Sequence, residues 1–324
     1  MTEIIAHANG ELHITDIDNG LRRVTVKSAN ASQFIAVHSC ETSYPTDLIE
    51  NILAVKGIGW VCDEINRDVD PNYVSKYLLN DLAAYFAPSD IAGKNILDFG
   101  CGSGASTAIL AREYPDAEFT GVELRADLLE IAKARADHYG LTNCSFVVSP
   151  DGSSLPPDLG EFDIVIMSAV VEHLLPEERP LILPLLWNQV KKGGHLFLDQ
   201  TPYRYFPIEL HTTMLPFINY LPDSLALAYA KTFSKRIDRS ETWESLLRQG
   251  IRGATEKEIG NLLTGSRKLE CTGDLRDCVD LWYKNTNSNN MAATKRVTKG
   301  ALKLIYNVTG VCMIPDLALA FRKR

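Results

Sequence analysis

Apolar positions between residues 95 and 200 alternate between strand-like runs and helical spacing. The short, nearly continuous runs fall at 95–99, 117–124, 144–148, 162–167 and 194–199. Helical spacing occupies the intervals at 105–113, 126–138 and 176–190. The run FDIVIM at 162–167 is typical of a strand buried on both faces of a parallel sheet. The alternation predicts an α/β fold with a doubly wound, mostly parallel sheet.

The pattern is less regular on either side of this core. Alternating residues at 12–14 and 22–26 flank Asn19-Gly20, which favours a hairpin turn. Helical spacing follows at 45–56 and 72–86, and strand candidates occur near the end at 268–272 and 317–322. We therefore divide the chain into four parts. Residues 1–93 form a β element with lid-like helices, and residues 94–200 form a ligand-binding core. Residues 201–265 are an insertion after the fifth strand at the mouth of the site, and residues 266–324 complete the core.

A glycine-rich turn, GCGSG at 100–104, connects the first core strand to a helix. Glycines let a ligand approach the main chain, and a helix N-terminus offers unpaired N–H groups to an anion. This pattern fits a dinucleotide and also S-adenosylmethionine. Asp98 precedes the turn and Glu123 ends the second strand. Carboxylates suit the positive sulfonium and ammonium groups better than a pyrophosphate.

Residues 95–200 resemble the core of a class I S-adenosylmethionine-dependent methyltransferase of the small-molecule type, similar to ubiquinone-pathway enzymes. The features that carry the resemblance are the glycine turn with Asp98, Glu123, Asp151 after strand three, FDIV in strand four, Glu172-His173, and KGGH at 192–195. Ser149-Pro150 departs from the glycine common before that aspartate. The resemblance implies a Rossmann-like sheet whose final strand is antiparallel, with S-adenosyl-L-methionine as cofactor.

It also implies the residues that bind the cofactor. These are Asp98, Gly100, Cys101, Gly102, Gly104, Glu123, Leu124, Asp151, Gly152 and Ser168. Methyl transfer needs a general base only when the acceptor holds its proton at neutral pH, as a hydroxyl does. His173 follows strand four, where ligands gather, and His211 follows Glu209 in the insertion. Both are candidate bases. Glu209 and His211 could instead hold a metal, but without a third ligand we assign none.

The position after strand four reads SAVV at 168–171 and lacks the N/D-P-P-Y/F motif of amine-methylating enzymes. We therefore expect O-methylation of a small molecule or a glycolipid-type acceptor, with carbon as the second choice. A non-catalytic cofactor-binding protein, a methyltransferase acting on protein or RNA, and an NAD-dependent oxidoreductase remain as alternatives.

Composition narrows the range of partners and compartments. The 324 residues carry a formal net charge of −8, which disfavours nucleic acid as a partner. Seven cysteines without C-x-x-C spacing predict reduced thiols in a cytoplasmic protein. The N-terminus lacks the features of a signal peptide, and we expect no transmembrane segment. The oligomeric state cannot be deduced from these patterns.

Overall fold

The computed structural model describes residues 2–30, 33–273, 275, 277–286 and 293–324. Within this part of the chain lie one sheet of four strands and one of seven. The smaller sheet contains β1 (Thr2–His7), β2 (Gly10–Asp16), β3 (Arg22–Ser28) and β4 (Ser39–Thr42). The larger sheet contains β5 (Asn95–Phe99), β6 (Glu118–Glu123), β7 (Cys144–Val148), β8 (Phe162–Ser168), β9 (Val190–Pro202), β10 (Ser266–Lys268) and β11 (Asp316–Lys323).

The strand order of the larger sheet is β10-β11-β9-β8-β5-β6-β7. Strand β5 pairs in parallel with both β6 and β8, and the parallel set extends to β7 and β9. The order reverses between β5 and β8, which is where ligands bind in open α/β sheets. Strand β11 is antiparallel to β9 and β10. The predicted α/β fold, with a mostly parallel sheet and an antiparallel final strand, is confirmed.

Helices cover both faces of this sheet and form much of the insertion. They are α1 (Thr46–Lys56), α2 (Val61–Val69), α3 (Val74–Ala83), α4 (Pro88–Ile91), α5 (Ala105–Glu113), α6 (Ala126–His138), α7 (Arg179–Gln189), α8 (Asp223–Phe233), α9 (Trp243–Arg248), α10 (Glu256–Leu262), α11 (Cys278–Thr286) and α12 (Ala293–Thr309). Within the described ranges, no helix combines the length and apolarity that crossing a membrane requires.

The central strands are buried on both faces because helices pack on each side. Leu97 of β5 and Val165 of β8 belong to one apolar cluster with Trp187 of α7. On the opposite face Ile166 of β8 packs in a second cluster with Leu110 of α5. Continuous apolar strands therefore pack between two helical layers, as the sequence pattern indicates.

The N-terminal sheet is a meander in which each strand pairs antiparallel with the next. Its apolar face, including Leu12 and Val24, packs against Ile49 and Ile52 of α1 and Ile131 of α6. The strands are longer than the predicted pieces at 12–14 and 22–26. Because α6 belongs to the α/β core, the N-terminal extension shares a hydrophobic cluster with that core.

A buried ionic network joins the extension to the glycine turn. The guanidinium of Arg135 on α6 is fully buried and lies 3.1 Å from the Glu64 carboxylate and 3.2 Å from that of Asp68. It also donates to the Tyr44 hydroxyl at 2.8 Å and to the carbonyl oxygen of Ser103. Burial alone would raise the pKa of Glu64, but Arg135 and a lysine hold it at about 2. Helices α2 and α6 thus brace the turn at Ser103.

The structure contains elements that the sequence pattern did not predict and shifts one strand that it did predict. The additional elements are β1, β4, α2, α4, α8, α9, α10, α11 and α12. Helices α2 and α12 were not predicted, because their apolar residues occupy a narrow stripe among many charged positions. The strand expected at 268–272 is β10, at Ser266–Lys268, and only its last residue coincides with the prediction. Beyond it, the Leu269 N–H still donates to the Ala320 carbonyl at 2.8 Å.

The prediction that all seven cysteines are reduced is wrong. Cys278 and Cys312 form a disulfide with their Cα atoms 6.5 Å apart. The other five cysteines are free. The pair is separated by 34 residues, so no local spacing identifies it. Only the packing of α11 against the segment before β11 brings the two sulfurs together.

Candidate functional site

The glycine turn lies at the carboxyl end of β5, at the switch point of the sheet. Gly102 has φ +56° and nothing lies within 4 Å of where a Cβ would stand. Gly104 has φ +76°, and a Cβ there would lie 2.6 Å from the Cβ of Ala132 on α6. The first glycine therefore leaves open space before the main chain, and the second permits close packing of the turn on α6.

Asp98 lies beneath this turn and is buried. Its carboxylate accepts a hydrogen bond from the Thr107 hydroxyl at 2.6 Å. Burial raises its pKa to about 6, although the Thr107 hydrogen bond opposes the rise. A carboxyl group in this position gains most from a nearby cation.

Glu123 ends β6 beside the turn. Its carboxylate accepts hydrogen bonds from the main-chain N–H groups of Gly102 at 3.1 Å, Leu124 at 2.8 Å and Arg125 at 3.1 Å. A carboxylate offers about four acceptor positions, so capacity remains for a ligand hydroxyl. The three bonds fix the orientation of the side chain toward the turn.

A cavity of about 480 Å³ opens in front of these residues. Among the predicted site residues, its lining includes Gly100, Glu123, Leu124, Asp151, Gly152 and His173. The remaining predicted cofactor residues, which the lining does not include, are Asp98, Cys101, Gly102, Gly104 and Ser168. Of these, Cys101 packs in a small apolar cluster with Leu129 and Ala132, which indicates a packing role for its side chain.

Sequence reasoning missed part of this lining. Glu178 and Arg248 form a two-pronged ion pair with both N–O distances at 2.6 Å on one wall. Arg248 belongs to α9 in the insertion, 70 residues from its partner, so no motif signals the pair. Leu174 adds an apolar surface beside them.

The loop after β7 is organised by Ser149 and Asp151. The Asp151 carboxylate accepts from the main-chain N–H groups of Ser153 and Ser154, both at 2.7 Å, and these bonds lower its pKa. The hydroxyl of Ser149, which stands at the departure from the family pattern, donates to the Asp151 carbonyl at 3.1 Å. Ser149, at the position where the sequence departs from the family pattern, therefore has a structural role, because its hydroxyl holds the loop that carries Asp151.

A second cavity of about 490 Å³ meets the first at Ala169, which lines both. Its walls include the aromatic side chains of Tyr73, Tyr77 and Trp282 and the carboxyl group of Asp81. The helices of the N-terminal extension thus line this second cavity, whereas none of their residues lines the first. Ala169 has φ +53°, a conformation that non-glycine residues rarely adopt and that is common at functional sites.

The two candidate histidines lie together at the junction of the cavities. Their ring centroids are 5.7 Å apart, with His173 lining the first cavity and His211 the second. Burial lowers the pKa of both imidazoles. The neighbouring Glu172 is buried, and burial raises its pKa to about 8. Its carboxylate completes a group of three potential ligands, the third ligand that sequence spacing did not reveal.

Glu209 does not pair with the ring of His211 as the Glu-x-His spacing suggested. It is buried and its carboxylate accepts from the main-chain N–H groups of His211 at 2.7 Å and Thr212 at 2.8 Å, and from the Thr213 hydroxyl at 2.6 Å. Glu209 therefore caps a turn, and this turn places the imidazole of His211 beside Glu172 and His173.

The first cavity fits an adenosyl cofactor with a cationic end. Its volume falls within the range of about 300–1,000 Å³ usual for small-molecule sites. Gly102 leaves the main chain accessible, Glu123 has acceptor capacity for ribose hydroxyls, and the buried Asp98 lies behind the turn. The donor set therefore suits S-adenosylmethionine.

Comparisons with known proteins agree with this geometry. Residues 96–194 match a family described as "Methyltransferase domain". The malonyl-[acyl-carrier protein] O-methyltransferase of Herminiimonas arsenicoxydans is 31% identical over 46% of this chain and 55% of its own. The fatty-acid O-methyltransferase of Mycolicibacterium smegmatis is 29% identical over 43% of this chain and 46% of its own.

The alignments cover only part of each relative. The chain spans about half the length of each of these two relatives, 55% and 46%. Among solved structures, a likeness is found to PKMT2 from Rickettsia typhi in complex with AdoHcy, with a TM-score of 0.45 and 15% identity over 77% of this chain and 54% of that one.

Proposed function

We propose that this protein is a class I S-adenosylmethionine-dependent methyltransferase that methylates a hydroxyl group on a small or glycolipid-type acceptor, because residues 96–194 match the methyltransferase-domain family. The cofactor would occupy the first cavity and the acceptor the second. Gly100, Glu123, Leu124, Asp151 and Gly152, which line the first cavity, would contact the cofactor, and the two histidines would act on the acceptor.

The observation that carries this proposal is the junction of the two cavities. They share Ala169, and the two histidines stand on either side of that junction. A methyl donor in one cavity and an acceptor in the other would meet beside imidazole groups. Methyl transfer depends mainly on such positioning, because the donor is already activated.

The walls of the second cavity favour a neutral acceptor with an apolar body. Tyr73, Tyr77 and Trp282 offer aromatic surfaces. Asp81 and Asp316 add carboxyl groups, and burial raises the pKa of both, in the case of Asp316 to about 6. These groups would repel an anionic acceptor when ionised and donate hydrogen bonds when protonated. Arg67 in the same lining is the opposing cation, but the two carboxyl groups outnumber it, and a hydroxyl is therefore favoured over a carboxylate.

The residues of the protein have two tasks in this reaction. They align the acceptor oxygen with the methyl group and remove the acceptor proton. When bound, the cofactor supplies a methyl group on a sulfonium, and the bonding electrons return to sulfur as the oxygen–carbon bond forms. The Glu172–His173–His211 cluster receives the proton. The Nδ1 of His173 lies 2.7 Å from the Arg248 carbonyl oxygen, so Nδ1–H donates and Nε2 is left as an acceptor.

The first test concerns the cofactor. Calorimetry should show binding of S-adenosylhomocysteine and none of NAD. Glu123→Ala should weaken binding because it removes charge-assisted hydrogen bonds, each worth about 1.5–3 kcal/mol. Glu118→Ala, at the exposed start of the same strand, is the matched control and should bind normally. Tight binding of NAD alone would overturn the cofactor assignment.

The second test concerns turnover. The protein is incubated with S-adenosylmethionine and a panel of phenols, apolar alcohols, glycolipids and fatty acids, and S-adenosylhomocysteine formation is measured. We expect turnover with a hydroxyl compound, and a loss of roughly 100- to 10,000-fold in His211→Ala or His173→Ala with cofactor affinity retained. His13→Ala, outside the site, should keep full activity. Cofactor binding without methylation of any hydroxyl compound would favour the non-catalytic alternative.

A further inference from the structure

The ligand atoms of Glu172, His173 and His211 lie within 4.8 Å of one another. Glu172 and His173 follow β8, whereas His211 comes from the insertion after β9. We propose that these three side chains form a binding site for a divalent transition-metal ion of the zinc type. This inference rests on the proposed function and deepens it, because the ion would lie between the two cavities.

Glu172 provides an independent sign that a ligand is missing from this cluster. Its side chain is fully buried, and Oε1 has no hydrogen-bond partner among the described residues. The other oxygen, Oε2, accepts from the Thr201 hydroxyl at 3.2 Å. A buried carboxylate oxygen without a partner is costly unless a cation or a donor reaches it. Oε1 also lies 3.8 Å from Nε2 of His173.

His173 is oriented as metal-binding histidines are. Its Nδ1 lies 2.7 Å from the main-chain oxygen of Arg248, which fixes the ring and directs Nε2 toward Glu172. In metal sites the ligating histidine commonly donates its second N–H to a carbonyl or carboxylate in this way. Arg248 is itself held by its ion pair with Glu178. The outer shell that such a site needs is therefore present.

His211 is held in place by its turn and by Gly250. The capping bonds of Glu209 fix the main chain at His211. Gly250 has φ +90°, and a Cβ there would lie 2.8 Å from Cδ2 of His211 and 3.1 Å from Cγ of Glu172. Absence of a side chain at 250 thus lets the third ligand approach the other two.

The donor set selects the class of metal. Two imidazole nitrogens and one carboxylate oxygen suit Zn²⁺ and its first-row neighbours, whereas Mg²⁺ and Ca²⁺ prefer oxygen ligands. Three protein ligands leave a coordination position for another group. A hydroxyl acceptor bound there would lose its proton to solvent because the cation lowers its pKa. In the metal-loaded protein the histidines would be ligands, so the cluster's role as proton acceptor under the proposed function would apply to the metal-free protein.

The binding test uses Co²⁺ as a spectroscopic probe and Zn²⁺ for stoichiometry. Protein stripped of metal by dialysis against a chelator is titrated with Co²⁺, and visible absorption bands of a nitrogen–oxygen site are followed. We expect saturation at one equivalent and competition by Zn²⁺. Glu172→Gln and His211→Ala should each weaken binding by at least the roughly 10- to 100-fold that loss of an outer-shell partner costs.

His13→Ala is the matched control, because His13 also lies beside a carboxylate, at 3.0 Å from Glu11, but outside the cluster. It should leave the titration unchanged. Retained binding of S-adenosylhomocysteine shows that each variant is folded. Absence of saturable binding in the parent protein, or equal affinity in all variants, would overturn the metal site.

Activity measurements separate this inference from the proposed function. If the metal-free protein methylates its acceptor at full rate and binds no Co²⁺, the metal site is wrong and the proposed function stands. If Co²⁺ binds at one equivalent but no acceptor is methylated, the metal site stands and the proposed function fails. Loss of turnover on chelation, with restoration by Zn²⁺ and unchanged S-adenosylhomocysteine affinity, supports both.

Discussion

At the scale of single residues, the site contains carboxyl groups whose burial disfavours their charged form and main-chain positions with unfavourable positive φ values. Asp98, Glu172 and Asp199 are carboxyl groups buried at the carboxyl edge of the sheet, and burial raises the pKa of each. Ala169 and Gln200 adopt positive φ values of +53° and +55° at the ends of neighbouring strands. Such features concentrate where a ligand, rather than the fold, gives the compensating interaction.

Gly102 offers a test of the glycine turn with a close control. Gly102→Val should abolish detectable binding of S-adenosylhomocysteine, because a side chain would enter the space in front of the main chain. Gly140 also has positive φ, +63°, with nothing within 4 Å of a Cβ, but it lies on the connection from α6 to the start of β7, away from the glycine turn. Both substitutions should cost about 1–3 kcal/mol of stability through backbone strain. Calorimetry that finds equal cofactor affinity in the two variants would contradict our view of the turn.

Asp98 predicts a pH dependence of cofactor affinity. Its pKa of about 6 means that the carboxylate charge is present above that pH and is lost as pH falls through it. The nearby carboxyl groups of Glu123 and Asp199 interact electrostatically with Asp98. Affinity for the cationic S-adenosylmethionine should therefore fall roughly tenfold between pH 7 and pH 5, and the fall should be smaller in Asp98→Asn. Titration calorimetry across this range gives the measurement.

Asp98 also affects the stability of the fold, and this effect changes with pH in the opposite direction to cofactor affinity. Because the folded-state pKa of Asp98 is raised, its contribution to the free energy of unfolding of the cofactor-free protein is full below the unfolded-state pKa. That contribution is lost as pH rises through about 6. Equal cofactor affinity at pH 5 and pH 7 in the parent protein would show that the Asp98 charge plays no part in binding.

At the scale of elements, the N-terminal helices and α6 support the glycine turn from behind. Arg135 connects them, since it pairs with Glu64 and Asp68 of α2 and also donates to the Ser103 carbonyl. Removing one partner from a buried ionic network leaves uncompensated charges. The extension is therefore coupled to the geometry of the cofactor site.

Arg135→Met tests this coupling. We expect a loss of about 3–5 kcal/mol in the free energy of unfolding, measured with urea, because two carboxylates lose their buried partner. Cofactor affinity should also fall, since Ser103 loses a donor. Lys133→Met changes an exposed cation on the same helix, paired with the exposed Glu130, and should alter stability by less than about 1 kcal/mol. A variant of Arg135 as stable as the parent would rule out the bracing role.

At the scale of the whole molecule, the second cavity is assembled from distant parts of the chain. Its lining combines Tyr73 of the extension, His211 of the insertion and Trp282 near the C-terminus. The disulfide between Cys278 and Cys312 ties the last of these regions to the segment before β11. Acceptor selection is therefore expected to depend on all three regions.

Reduction of this disulfide should weaken the wall of the second cavity. Cys278→Ser opens a loop of 34 residues, and a loss of about 3–5 kcal/mol is expected from the freedom gained by the unfolded chain. Thermal unfolding with and without a reducing agent measures it, with KM for the acceptor rising in the reduced protein. Cys144→Ser, at a free and half-buried thiol, serves as control and should respond to the reductant as the parent does.

The sequence by itself determined the α/β core and the position of the cofactor turn. Continuous apolar strands, a glycine turn and terminal carboxylates such as Asp98 and Glu123 are local signals, because each depends on residues close together along the chain. Their strand bounds agree with the structure within a few residues. Burial of the central strands β5, β8 and β9 between two helical layers follows from the same pattern.

Only the tertiary structure decided what surrounds that turn. The meeting of Glu172 and His173 with His211, the Arg248–Glu178 pair and the disulfide each join residues 34–70 positions apart, with no spacing to signal them. Glu209 shows the converse, since a suggestive Glu-x-His spacing became a main-chain cap. Local patterns specify which elements form, whereas long-range packing decides which side chains meet, and the chemistry proposed here depends on those meetings.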